Sequence, residues 1–316
     1  MPRLPVDLTS EISNRLELAM LFEVSAYPKP GNVHRTRDYP DTRFEHFLAS
    51  AVASRSSFEA AAKRGYLISS RKLHPQDASV GRIIRDAVIS TISSQRGGNT
   101  SLGTLSLLVP LAVAAGMTYT NGLPLRLLRS NLRRTLRSTT TRDTIDFYEA
   151  VSRVKPGGLG RVPQLDVKDP SSKREIQRRE LRLLDVFRLA ADRDSICSEW
   201  TTGYSITFEL GYPYFKKELC KADDINAATV NTYLKILSKK YDTLIARKAG
   251  IRKAHWVSER ARRALSVGGV RCFAGRREIE RLDDELGRNG SLLNPGATAD
   301  LTASVLALAT LSGYRP

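Results

Sequence analysis

The chain has 316 residues, of which 41% are hydrophobic and 26% charged, and it carries a net charge of +17 at pH 7. That length and apolar content support a substantial buried core and exclude disorder. Cys197, Cys220 and Cys272 are widely spaced and form no CxxC pair, which excludes a disulfide framework or a structural zinc site and predicts reduced thiols in a cytoplasmic protein.

Residues 1–7, Met-Pro-Arg-Leu-Pro-Val-Asp, contain no apolar stretch of signal-peptide length. The first predicted helix has Ile12, Leu16 and Ala19 on its inward stripe, and the next position at that spacing is Glu23. An ionised carboxylate on a buried stripe needs a cation, a metal or several donors. A punctuated loop follows, Tyr27-Pro28-Lys29-Pro30-Gly31-Asn32, and His34, Arg35 and Arg37 come just after it. Val80, Ile83, Ile84, Ala87, Val88, Thr91 and Ile92 then spell a helix with one apolar face.

Gly97-Gly98-Asn99-Thr100 leads into an apolar helix beginning near Ser101. Free backbone N–H groups and the helix dipole at such a junction favour a phosphate, although Asn99 or Thr100 could equally be a plain cap. No Gly-Lys-Ser/Thr follows, so this is not a Walker A loop. The stretch from Leu102 to Met117 is interrupted by Pro110 and falls short of the roughly 20 apolar residues of a membrane span, so it reads as a core helix.

Two basic sets come next, Arg126, Arg129, Arg133, Arg134 and Arg137, then Lys173, Arg174, Arg178, Arg179 and Arg182. Neither is rich in aromatics, and no helix-turn-helix, zinc-finger or RNP signature accompanies them. Nucleic acid is therefore not expected as the main partner. Between the sets lies Lys155-Pro156-Gly157-Gly158-Leu159-Gly160, with Asp166 soon after. Leu183, Leu184, Phe187, Ala190 and Ala191 mark another helix, whose inward stripe extends to Asp194. Val230, Tyr233, Leu234 and Leu237 mark a further one. Asp242-Thr243 reads as a helix start with Asp242 as cap, and Arg247 and Lys248 lie one turn on. Asn294-Pro295-Gly296 precedes an alanine-rich final helix over about Ala297 to Leu311, with Asp300 in its first turn.

Period-two alternation is nearly absent, so the predicted fold class is all-α, one large multi-helix domain over residues 1–316. The histidines His34, His46, His74 and His255 show no metal-ligand spacing, and no Gly-x-Ser-x-Gly or GxGxxG element is present.

The loops, taken in order, resemble the triphosphoribosyl-dephospho-CoA synthase family. Glu23-Val24-Ser25-Ala26-Tyr27-Pro28-Lys29-Pro30-Gly31 is similar to its Glu-Val-x-x-x-Pro-Lys-Pro-Gly motif. Gly98-Asn99-Thr100-Ser101-Leu102-Gly103 resembles its Asn-Thr-His-x-Gly element. Gly158-Leu159-Gly160 with Asp166, Asp194 with Glu199-Trp200, Asp242-Thr243 with Arg247-Lys248, and Asn294-Pro295-Gly296 through Asp300 complete the series to the C-terminus. Two positions depart from the pattern: His34 stands for an aspartate, and Ser101 for the histidine.

The resemblance implies an all-α enzyme that moves the triphosphoribosyl part of ATP, with Mg²⁺, to the ribose 2′-hydroxyl of dephospho-CoA, releasing adenine. It implies phosphate contacts from Lys29, Arg35, Gly98, Asn99, Thr100, Arg247 and Lys248, with Gly31 and Asn32 in the loop. Glu23, Asp194 and Asp166 would hold Mg²⁺ or stabilise the sugar cation. Asn294 and Asp300 would shape the nucleotide pocket, and Asp242 would act as base or cap. His34 would act as base or in hydrogen bonding. A different hydroxyl acceptor on the same scaffold, or a non-catalytic basic protein that binds nucleotide or RNA, are the alternatives.

Overall fold

A helix apolar on every side belongs in the middle of a molecule. α4 (Leu102–Thr118) is such a helix, buried along nearly its whole length. In this computed structural model, which describes residues 6–119 and 122–316, four partners surround it: α1 (Val6–Ser25), α2 (Phe44–Ser69), α3 (Val80–Ser94) and α15 (Gly296–Leu311). α5 (Leu125–Arg137) closes its C-terminal end. The reading of residues 1–5 lies outside the described residues.

Two glycines let α2 and α4 approach closely. A Cβ on Gly65 would sit 1.9 Å from the Val113 carbonyl oxygen, and one on Gly116 would sit 2.1 Å from that of Ala62. Pro110 removes the N–H that would have reached Ser106 O. That carbonyl is satisfied by the Trp200 indole N–H at 2.9 Å. The kink-prone residue is thus tied to the next layer, which comprises α6 (Thr141–Val154), α7 (Ser171–Arg178), α8 (Leu183–Ala190) and α9 (Ser195–Thr202).

A π-helical segment, Ile206–Gly211, leads into α10 (Tyr212–Ala222) and α11 (Ile225–Lys239). α12 (Thr243–Ala249), α13 (Ile251–Ser266) and α14 (Phe273–Gly287) pack with α11 around a second apolar cluster of Val230, Tyr233, Leu237, Val257 and Leu282. α15 bridges the two clusters. The described residues contain fifteen α-helices and no strand, as the periodicity predicted. No helix among them is long and apolar enough to cross a membrane.

One boundary differs from the sequence reading. α8 ends at Ala190, so Asp194 is not an inward member of that helix. It is the N-cap of α9, its Oδ1 accepting the amides of Ile196 at 2.8 Å and Cys197 at 3.2 Å. Aspartate competes for backbone N–H groups and so starts helices more readily than it prolongs them.

Candidate functional site

The Pro-Lys-Pro-Gly loop runs through the interior, where every backbone polar group needs a partner. Tyr233 Oη donates to Pro30 O at 2.9 Å, and Gly31 N donates to Asp283 Oδ1 at 2.9 Å. Asn32 Nδ2 donates to Pro295 O at 3.5 Å. Gly31 has φ +76°, and a Cβ there would lie 2.6 Å from Leu286 Cδ1, so only glycine fits without displacement.

Lys29 is completely buried and folds back on the end of α1. Its ammonium donates to Glu23 O at 2.9 Å and pairs with the Glu23 carboxylate. Burial pushes the Glu23 carboxyl up and the Lys29 ammonium down, and each partner opposes the other's shift.

His34 and Arg35 follow this loop and point to different places. His34 is buried, its Nε2 3.4 Å from Asp283 Oδ2 and its Nδ1 3.1 Å from Thr36 Oγ1. Arg37 Nε donates to the same Asp283 Oδ2 at 2.6 Å. Arg35 is exposed, stacked 4.0 Å over the Tyr27 ring and donating to Asn226 Oδ1 at 3.1 Å. Its guanidinium is engaged on the outside of the loop rather than turned toward Lys29.

Four helix starts are stitched together beside the Glu23–Lys29 pair. Thr104, in the first turn of α4, donates to Asp300 Oδ1 in α15 at 2.5 Å. A Cβ on Gly103 would sit 2.0 Å from Asp300 Oδ2, so the glycine makes room for that carboxyl. Asp242 Oδ1 accepts the Leu244 and Ile245 amides at 2.8 and 3.1 Å and caps α12. Its Oδ2 accepts the Thr298 amide and hydroxyl at 2.7 and 2.8 Å, which fixes α15 to α12. With four donors on one carboxylate, Asp242 is placed as a cap. Ser195 N donates to Thr243 Oγ1 at 3.1 Å and adds the start of α9.

Asp300 is the unusual group of this cluster. Burial pushes its carboxyl up to about 8, the charges of Glu23, Asp242 and Asp194 add to the rise, and the Thr104 hydrogen bond opposes it.

Around this cluster lie the loops expected to hold phosphate. Gly98 and Asn99 are exposed, and the space where a Gly98 Cβ would sit is open. Asn99 Oδ1 accepts the Leu102 amide at 3.1 Å, and Thr100 Oγ1 bonds Ser50 Oγ at 2.7 Å. A cleft of about 620 Å³ is lined by Gly158, Leu159, Gly160, Arg247, Lys248 and Ser291. Lys248 Nζ donates to Ser291 O at 3.0 Å, and burial holds its ammonium below the usual lysine range. Arg247 pairs with Asp194 at 2.7 Å. Asn294 Oδ1 is buried and, among the described residues, has no hydrogen-bond partner. A buried acceptor without a donor is rare in a folded protein.

The proposed metal set is not assembled. Among the described residues no three His, Cys, Asp or Glu side chains are grouped as ligands for a metal ion. Glu23 is paired with Lys29, and Asp194 caps α9. Asp166 closes its own loop by accepting the amides of Val162 at 3.2 Å and Lys168 at 2.8 Å. Each of these carboxylates has donors close by in the chain, which residue spacing does not reveal.

Thr104, Thr298 and Asp283 were not singled out from sequence. Asp283 was detectable, because Ile279 and Leu286 flank it at helical spacing and place an acid on a buried stripe, the signal that marked Glu23. The two threonines gave no such signal.

A sequence profile described as ATP:dephospho-CoA triphosphoribosyl transferase matches residues 9–316. A Pseudomonas fluorescens protein assigned as 2-(5″-triphosphoribosyl)-3′-dephosphocoenzyme-A synthase is 24% identical over 296 residues, covering 92% of this chain and 87% of its own. A Citrobacter koseri protein with the same assignment is 30% identical over 115 residues, 36% of this chain and 37% of that one. The match to an Escherichia fergusonii protein of that name spans 34% of its length. A crystal structure from Archaeoglobus fulgidus, described as a triphosphoribosyl-dephospho-CoA synthase, superposes with a TM-score of 0.61 at 25% identity, covering 85% of this chain and 100% of that one.

Proposed function

This chain belongs to the ATP:dephospho-CoA triphosphoribosyl transferase family, and from that premise we propose that it transfers the triphosphoribosyl group of ATP to the 2′-hydroxyl of dephospho-CoA and releases adenine. The observation that carries the reading is Asp300, a carboxyl pushed up to about 8 beside the Glu23–Lys29 pair at the joined starts of α4 and α15.

In this transfer the bond from the ribose anomeric carbon to adenine breaks, and its electron pair leaves with the base. The 2′-oxygen forms the new bond, its proton goes to a base, and a proton is returned to the departing adenine. A base works best with a pKa near the operating pH, and Asp300 meets that condition. Once ionised, it also faces the positive charge that develops on the sugar. Lys29 and Glu23 hold the wall behind it. Lys248, Arg247 and the backbone of Gly98–Thr100 and Gly158–Gly160 take the triphosphate. Asn294 shapes the nucleotide pocket.

The carboxylates do not fit a resident metal cage, since each is already engaged. Mg²⁺, which binds nucleotides chiefly through phosphate and water, is assigned to the Mg-ATP substrate. Arg35, Asp166 and Asp194 are given no contact with the reacting atoms, and His34 is assigned to positioning the loop through Asp283.

One observation favours a second reading of the acceptor. Ser101, which stands where the family pattern has histidine, is buried at the start of α4 beside Thr100, three residues before Thr104. The shorter side chain alters a wall of the site and suits a different hydroxyl acceptor.

Adenine release from Mg-ATP, with and without dephospho-CoA, tests both. Release that requires dephospho-CoA and falls by at least about 100-fold in Glu23→Gln and Asp300→Asn is the expected outcome. ATP binding with no dephospho-CoA-dependent release would sink transfer to that acceptor and leave the second reading.

A further inference from the structure

A second groove, larger than the cleft at Lys248, runs along α5 with a volume of about 1040 Å³. Its lining holds Arg126, Arg129, Arg133, Arg134 and Arg137, and no acid. α5 buries Leu128, Leu132 and Leu136 against the core, which forces its arginines onto the outer face. Among the described residues only one of the five is ion-paired, Arg129 with Glu209 at 2.6 Å. Like charges three and four residues apart destabilise a helix, and α5 contains no acid to relieve them.

From Arg126 to Arg137 the row spans about 16 Å along the helix, longer than the three linked phosphates of a nucleotide. Phe208, with Arg129 5.1 Å over its ring, and Tyr212 complete the groove. These aromatics lie some distance along the chain, so the arginine set looked bare of them in sequence. The groove is also separate from the Asp300 cluster. α5 meets α4 at Thr118, where Asn131 Nδ2 donates at 2.9 Å, whereas Asp300 meets α4 at Thr104. Those points are on the order of 20 Å apart along α4.

We propose that this groove binds single-stranded RNA through its backbone phosphates, independently of the transferase site. Guanidinium forks match phosphate oxygens in pairs, and a row of them suits a repeating polyanion. The net charge of +17 and pI of about 10.0 draw such a polymer to the protein from a distance.

The test is fluorescence anisotropy of the full chain with a labelled uridine dodecamer. Engagement of about four phosphates weakens binding about 50-fold between roughly 50 and 200 mM salt. Arg126→Glu with Arg134→Glu, both exposed, weakens binding at least tenfold at low salt without lowering the melting temperature. Arg252→Glu with Arg277→Glu, on another face, changes it less than about twofold. Absence of binding at low salt, or equal losses in the two double variants, would overturn the proposal. So would poly-glutamate binding as tightly as the dodecamer, which would assign the groove to an acidic protein partner.

Discussion

Asp300 is held by a single hydroxyl donor, Thr104, in the company of three other acids, Glu23, Asp242 and Asp194. Its carboxyl is pushed up to about 8 from the ordinary 3.8, so between those values the folded chain holds a proton that the unfolded chain releases. Stability therefore falls as pH rises through that window. Asn cannot ionise, so Asp300→Asn is expected to melt close to the parent near pH 4 and to gain about 2 °C or more by about pH 8. Circular dichroism melts across that range check this, and a difference independent of pH would contradict it. The same variant loses adenine release, which separates the chemical use of the group from its cost to the fold. Glu23 was legible as an acid on a buried stripe, whereas the environment of Asp300 was not. Its position in the first turn of a helix is ordinary, and the partners that raise its pKa come from other segments.

The π-helical segment Ile206–Gly211 depends on one side chain. Glu199, fully buried, accepts the Ile206 amide at 2.7 Å on Oε1, and the Thr207 amide at 2.9 Å and hydroxyl at 2.5 Å on Oε2. Burial raises its carboxyl to about 7, against those three hydrogen bonds. Because both oxygens face backbone N–H groups, Glu199→Gln sets an amide –NH₂ against a donor. We expect it to destabilise the fold by roughly 1–3 kcal/mol. Urea unfolding measures this directly, and an unchanged midpoint would refute the anchoring role. Periodicity gave no sign of the π turn, which arises because a buried acid captures two successive amides.

The two largest apolar clusters among the described residues are joined where the candidate site lies. Asp242 binds α12 to α15, and Tyr233 and Asp283 hold the Pro-Lys-Pro-Gly loop. Asp242→Ala removes the acceptor of four hydrogen bonds and leaves buried amides without partners. A loss of about 2–4 kcal/mol is expected, with faster amide exchange at both Leu244 and Thr298. Faster exchange at Leu244 alone would show that the two helix starts are not coupled through this residue.

The helical class, the burial of α4 and the order of the loops that carry the family pattern were all readable from the amino-acid sequence. Those properties are written in neighbouring residues, through a period of 3.6 and the placement of glycine, proline and aspartate. The fold was needed to show that Asp194 starts a helix rather than ending one, that Asp242 also holds Thr298, that Asp166 stays within its own loop, and that Arg35 turns outward onto Tyr27. It also decided that Asp300 meets Thr104 and that Phe208 joins the arginines of α5. A carboxylate takes whichever donors packing brings within about 3 Å, and the partners Thr298 of Asp242 and Thr104 of Asp300 lie on segments distant in the chain.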